Sequence, residues 1–205
     1  WSHPYPQGNT LRYVKVFSAS SWIAIGYAGT FIKTTDAGAS WYIRNDIAGE
    51  QTTSQIFFYN GWFFDANTGF ACGGSGKIVR TTNGGVSWDS VSTGVTATLY
   101  GMHFVNSTTG FVGGSTGTVL KSTDAGNTWT NYTAGLPSLT YCAKLLVRKD
   151  STNVLLAAMG TAGFYRSTDA GVNWILVSSG RCDDVVASPT TDTVYSIGSG
   201  VSYRM

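Results

Sequence analysis

The sequence predicts an all-β fold, a β-propeller of five four-stranded antiparallel blades, and three observations carry that prediction. A short box recurs as TTDAGASW (34–41), TTNGGVSW (81–88), STDAGNTW (122–129) and STDAGVNW (167–174), and its tryptophans lie 47, 41 and 45 residues apart. That spacing is the length of a propeller blade. Between the boxes run short apolar segments of four to eight residues, β-branched and aromatic, punctuated by Gly, Ser, Thr and Asn. The composition agrees: 42% hydrophobic residues fill a core, 26 Gly and 4 Pro suit turns, and no stretch has helical periodicity.

The elements follow in register. Each unit reads as strand, polar turn, strand, Gly turn, strand, box, strand. The first strands are LRYVKVF, FFYNGWFF, LYGMHFV, AKLLVRK and DDVVAS. The second are WIAIGYAG, GFACGGSG, GFVGGSTG, VLLAAMGTAG and TVYSIGSG. The third lead into the boxes from Gly29, Gly76, Gly117 and Gly163, and a fifth copy, GVSYRM, begins at Gly200. Blades are expected at about 11–48, 49–95, 96–136, 137–180 and 181–205, in one domain over 1–205. Met205 stands where Thr34, Thr81 and Ser122 stand, and WSHPYPQGNTL at the start matches WTNYTAGLPSL from Trp129. Residues 1–10 are therefore expected as an outer strand that closes the last blade, which hides two sheet edges. A slice of a larger array is the alternative.

The box itself reads as a turn. Asp36, Asn83, Asp124 and Asp169 are placed to accept hydrogen bonds from turn N–H groups. Gly38, Gly85, Gly126 and Gly171 supply positive φ. Trp41, Trp88, Trp129 and Trp174 open the outer strand and pack on the sheet. A calcium loop needs several oxygen ligands, and the box offers one carboxylate, or an amide at Asn83.

The pattern [ST]-[ST]-[DN]-x-G-x-[STN]-W resembles the Asp-box, or BNR, repeat of β-propellers. With G-F-x-x-G-x-x-G before the box, the chain looks most like photosystem II assembly factor-like proteins and related secreted bacterial repeat proteins. The resemblance implies a propeller whose boxes lie on the outer rim, away from the working face. It does not imply one activity, because sialidases, xyloglucan-cleaving glycosidases, sortilin-type receptors and assembly factors share the box.

The enzymatic branch sets a test. Sialidases, by that resemblance, would need three arginines, a Tyr–Glu pair and an acidic Asp, yet the chain has one glutamate, Glu50. Lys33, Arg80, Lys121, Arg166 and Arg204 share one register in the blades and read as solvated strand positions. Other glycosidases need two carboxylates about 5–9 Å apart. Asp65 belongs to DANTG, a turn equivalent to NSTTG (106–110), and Asp183 and Asp184 alternate along a strand. The expected class is therefore non-catalytic. No metal or cofactor is implied: His3 and His103 have no ligand spacing, and the GGSTG run (113–117) reads as a hairpin turn.

A net charge of +2, from 13 basic and 11 acidic residues, includes no basic block, which argues against nucleic acid. No apolar run approaches the ~18 residues of a membrane helix. Three cysteines, only 12% charged residues and many Ser, Thr and Asn point to a secreted or cell-surface protein. Cys142 and Cys182 open innermost strands of consecutive blades, so a disulfide between them is expected, with free buried thiols as the alternative. Cys72 reads as a core filler.

Binding is expected on the face opposite the boxes, where the links between blades differ. Trp62, Tyr100, Tyr141, Arg181 and Asp183 fall there by alignment. Aromatic rings beside Asp and Arg suit a glycan or a protein ligand. Three roles follow: a recognition module at the cell surface, a structural repeat of an adhesin or filament that self-assembles, or a glycoside hydrolase.

Overall fold

The computed structural model describes residues 8–47, 56–138, 140–148, 151–188 and 194–198. These residues form eighteen strands and one short 3-10 turn at Gly74–Gly76. The chain divides into two compact units, Trp1–Leu99 and Tyr100–Met205.

The first unit holds two four-stranded antiparallel meanders. Blade one is β1 (Leu11–Val16), β2 (Trp22–Gly26), β3 (Phe31–Thr34) and β4 (Tyr42–Arg44). Blade two is β5 (Phe58–Phe63), β6 (Gly69–Gly73), β7 (Ile78–Thr81) and β8 (Asp89–Val91). The second unit begins with blade three: β9 (Leu99–Phe104), β10 (Gly110–Gly114), β11 (Val119–Ser122) and β12 (Thr130–Asn131). Blade four is β13 (Lys144–Arg148), β14 (Ser151–Ala158), β15 (Phe164–Ser167) and β16 (Ile175–Ser178). Blade five shows β17 (Cys182–Ala187) paired with β18 (Val194–Gly198). All strands fall inside the blade limits read from the sequence. The closing strand expected at residues 1–10, and Val201–Met205, lie almost wholly outside the described residues.

The second strand of each complete blade is apolar and buried on both faces. Ile23, Ile25 and Phe31 of blade one meet Phe58, Phe63, Ala71 and Val79 of blade two. In β14 the alternation is explicit: Leu155, Ala157 and Met159 join Phe111, Val119 and Cys142, whereas Leu156 and Ala158 join Cys182, Val185 and Val194. Successive side chains of a strand point to opposite faces, so one strand serves two interfaces.

That alternation corrects the expected disulfide. Cys142 and Cys182 are free thiols, packed on opposite faces of blade four. Each turns its Sγ back on its own strand: Cys142 donates to the Lys144 carbonyl at 3.6 Å and Cys182 to that of Asp184 at 3.4 Å. Burial pushes the Cys142 and Cys72 thiols up to about 12, which leaves them inert as nucleophiles.

The four boxes are one hydrogen-bond device repeated. The opening Ser or Thr is buried, and its hydroxyl accepts the Gly N–H at 2.9 Å while donating to the carboxylate or amide oxygen: Thr34 to Asp36, Thr81 to Asn83, Ser122 to Asp124, Ser167 to Asp169, at 2.8–3.0 Å. The same oxygen accepts the N–H of Ser40, Ser87, Thr128 or Asn173. Gly38, Gly85, Gly126 and Gly171 have φ of 79–93°, as expected. At Gly85 a Cβ would come within 2.2 Å of Phe31, so blade packing also demands glycine. The preceding residue takes positive φ too, as Ala37, Gly84, Ala125 and Ala170. Its N–H reaches the turn between the first two strands of its own blade at the Ser20, Asn67 and Thr108 carbonyls, and the start of β14 at the Asn153 carbonyl, 2.8–2.9 Å away. Asp65 caps such a turn through the N–H groups of Asn67 and Thr68, as its sequence context indicates.

The box tryptophans pack as expected, with different partners. Trp41 lies against Trp22, Trp88 against Phe31 and Phe63, and Trp129 against Phe104, while Trp174 donates its indole N–H to the Tyr132 carbonyl at 3.1 Å. The recurring basic register is a correction. Lys33, Arg80, Lys121 and Arg166 are half-buried rather than solvated, and Lys33 and Lys121 reach into the box of the following blade.

Candidate functional site

The loop end opposite the boxes is shaped by an irregularity in the first strands. In β17, Cys182 pairs with Gly198 and Asp184 with Ile197, which leaves Asp183 as an extra residue. The same bulge makes Arg12 the extra residue in β1 and Tyr59 that in β5. A bulge turns its extra side chain away from the regular alternation of the strand. Across from each bulge stands a glycine, Gly26, Gly73 or Gly198, where a Cβ would overlap the carbonyl of Thr10, Phe57 or Arg181 at 1.7–2.2 Å. Blade four has Met159 at this register, and the pairing of β13 begins one step beyond it, at Lys144 with Ala158. The recurring glycine is the signal from which the bulges were legible. The sequence reading took it only as a turn former.

In the second unit this register builds a cleft. Tyr100 and Asp183, each following the buried first residue of its strand, and Ala143, just before β13, line a cavity of about 470 Å³ together with Tyr141 and Cys142. Tyr100 is 40% and Tyr141 41% exposed. The segment under Tyr141 is pinned from three sides. Thr140 Oγ1 donates to the Met159 carbonyl at 2.8 Å, Cys142 N–H to Gly114 at 2.9 Å and Ala143 N–H to Ala158 at 2.8 Å. The Tyr141 ring rests on the backbone of Gly160, close enough that a Cβ there would lie 3.3 Å from it.

Asp183 is tied to Arg181 by an Nε–Oδ2 contact of 2.7 Å. The carboxylate raises the guanidinium pKa, first through the hydrogen bond and then through charge. The pair sums to zero charge, and both partners are partly exposed, so it contributes little to stability. Its work is to fix a donor and an acceptor beside two aromatic rings. Beneath the rim, Lys144 lies 3.8 Å from Asp184. His103 on β9 has its pKa lowered by burial and by Lys144, so it stays neutral at pH 7.

Of the five predicted ligand residues, Tyr100, Tyr141 and Asp183 therefore share one cleft, with Arg181 held beside it. Trp62 belongs to the first unit. It lies on β5 opposite Phe70, with its ring packed edge-on against Phe64 at 6.5 Å, a half-buried position. Among the described residues, the cleft lining has a single carboxylate, Asp183. Among the described residues, no group of three or more metal-ligating side chains comes together, and no helix is long and apolar enough to cross a membrane.

No protein-family model and no curated protein matches the sequence. Solved structures do match. YCF48 bound to a D1 peptide aligns with a TM-score of 0.67 at 16% identity, over 94% of this chain and 63% of that one. An ancestral GH74 enzyme aligns with a TM-score of 0.72 at 17% identity, over 92% of this chain and 27% of that one. The GH74 enzyme of Niastella koreensis gives 0.63 at 22% identity, over 98% and 30%. The WD40 repeats of RRP9 give 0.64 at 9% identity, over 95% and 63%. This chain spans less than two thirds of each. The likeness establishes the fold, a β-propeller.

Proposed function

We propose that the chain is a non-catalytic recognition module, acting outside the cell or at its surface, that holds a glycan or a protein segment in the cleft of its second unit. One observation carries this reading. Tyr100, Tyr141 and Asp183, from three different blades, converge on one cavity of about 470 Å³, a size suited to a small ligand. Two rings offer faces to an apolar sugar face or a side chain, and the Arg181–Asp183 pair offers a donor and an acceptor. Propellers of this fold include one solved with a bound peptide, which supports a binding role. Among the described residues the cleft has a single carboxylate, paired with Arg181, and this supports recognition over glycoside cleavage, which uses two.

The test is binding by the parent chain and by Tyr100→Ala and Tyr141→Ala variants to a glycan array and a peptide panel, each checked for folding by circular dichroism. Binding that is lost in both folded variants upholds the reading. Ligand binding that persists unchanged in both sinks it. Hydrolysis of an aryl glycoside that disappears with Asp183→Asn would replace it with an enzyme.

A structural role in self-assembly has one observation of its own. The outer strand β16 exposes Ile175 (68%) and Leu176 (47%), and β4 exposes Tyr42 and Ile43, whereas β8 and β12 are mostly polar. Bare apolar edges favour pairing with another chain. Concentration-dependent sedimentation that is abolished by Ile175→Lys would mark that role.

A further inference from the structure

The geometry points to a second ligand site, in the first unit, that takes a peptide carboxylate. It is built at the same strand register as the cleft of the second unit, from the bulge residues Arg12 and Tyr59. Both converge on Tyr27, at the end of the β2 hairpin. The Arg12 guanidinium carbon stands 4.9 Å from the Tyr27 ring centroid. Its Nε donates to the Tyr27 hydroxyl at 3.0 Å, and its Nη2 donates to the same oxygen. Tyr59 meets the Tyr27 ring edge-on at 5.7 Å, and Phe57 lies against it at 4.7 Å with 41% of its own surface exposed.

Two features make this more than a surface arginine. The first is orientation. Tyr27 anchors the guanidinium through its Nε and Nη2, and among the described residues no acceptor takes a hydrogen bond from Nη1. A guanidinium fixed in one plane recognises a carboxylate with two parallel hydrogen bonds and little loss of rotamer entropy. The second is charge. Among the described residues no carboxylate pairs with Arg12, in contrast to Arg44 with Asp46 and Arg181 with Asp183. Among the described residues the patch is net positive, whereas Arg181 and Asp183 sum to zero at the cleft of the second unit. The three rings beside it offer an apolar platform. Its complement is a carboxylate next to an aromatic or aliphatic side chain, in an extended peptide.

The experiment uses the whole chain, labelled with nitrogen-15, titrated with N-acetyl-Gly-Phe-Asp-Phe-Gly-amide and with the same peptide carrying Asn for Asp. The expected result is shifts at Arg12, Tyr27 and Phe57, with the Asp peptide about tenfold tighter, the value of one charge-assisted contact. Arg12→Gln, which keeps the stem and the Tyr27 packing, should bring the two affinities together. Shifts confined to Arg12, Tyr27 and Phe57, with none at Tyr141 and Asp183, separate this site from the proposed cleft. A third peptide, free-acid Gly-Phe-Asn-Phe, tells a chain terminus from an acidic side chain: tighter binding than the Asp peptide assigns the terminus, and weaker binding assigns the side chain. Equal affinity for the Asp and Asn peptides, or an Arg12→Gln variant that still prefers Asp, overturns the proposal. Shifts at Arg12 with an oligosaccharide of glucuronic acid and none with any peptide also overturn it.

Discussion

Lys121 Nζ, on the third strand of blade three, lies 3.2 Å from the carbonyl oxygen of Ala170 in the box of blade four. On its way it passes the rings of Phe111 and Tyr132, at 5.7 and 5.2 Å. Burial lowers the pKa of the ammonium, and Asp169 opposes that shift. The box is thus part of the seam between two blades. Lys33 repeats the relationship in the first unit with Gly84, at 3.5 Å.

Replacing Lys121 with Met keeps the apolar stem and removes the charged donor. The Ala170 carbonyl then loses its partner, at a cost of about 1 kcal/mol, within the usual worth of a hydrogen bond. In a domain of this size the melting temperature should fall by roughly 2–4 °C. Calorimetry checks it. A Lys121→Met chain as stable as the parent would mean that water replaces the ammonium without loss.

Asp124 holds the N–H of Thr128 and the hydroxyls of Thr128 and Ser122. Asp124→Ala should cost about 1–3 kcal/mol, because it strands turn donors. Asp124→Asn should cost less, since Asn83 fills the same place in the second box with equivalent bonds. Trp129→Ala, which empties a buried ring site, should cost about 3–5 kcal/mol. Urea titrations rank the three. None should alter ligand binding by the folded chain, and a binding defect in folded Asp124→Ala would move the box into the recognition machinery.

Ala125 sits at φ 60°, as do its counterparts Ala37 and Ala170 at 58° and 61°. A non-glycine residue there carries about 1–2 kcal/mol of strain. Glycine removes it but loses about 0.5–1 kcal/mol in unfolded-state entropy. Ala125→Gly should therefore stabilise by up to about 1 kcal/mol, raising the urea midpoint at unchanged slope. A lower midpoint would show that the alanine methyl packs usefully.

Acid should loosen the boxes in a defined window. Hydrogen bonds, chiefly from Ser40 to Asp36 and from Asn173 to Asp169, hold both carboxyls down at about 2 against an ordinary 3.8. Asp124 is lowered in the same way, mostly by the Thr128 hydroxyl. A depressed pKa contributes stability above the unfolded value that is lost as pH falls through the folded one. Urea midpoints should therefore drop between about pH 4 and pH 2, and Asp36→Asn with Asp169→Asn should flatten that drop. Identical pH profiles for parent and double variant would refute the assignment.

Much of this was legible in the chain. The period of the box, the apolar runs and the turn residues determined four-stranded blades, their limits and the positive φ of Gly38, Gly85, Gly126 and Gly171, because those are local consequences of residue type and spacing. Tyr100, Tyr141 and Asp183 stand out in the chain as aromatic and charged positions at one end of the first strands, whereas Ala143 and Cys142 of the same lining do not. What the tertiary structure decided is which side chains meet. Cys142 and Cys182 open neighbouring strands, yet blade four stands between them, since alternation in β14 sends Leu155 and Leu156 to different interfaces. Lys121 reads as a solvated strand position until the neighbouring box is brought against it. Asp183 and Arg12 look like ordinary strand residues until a bulge opposite a glycine turns them out of register. Pairing across sheets depends on residues far apart in sequence, and a local pattern carries no record of it.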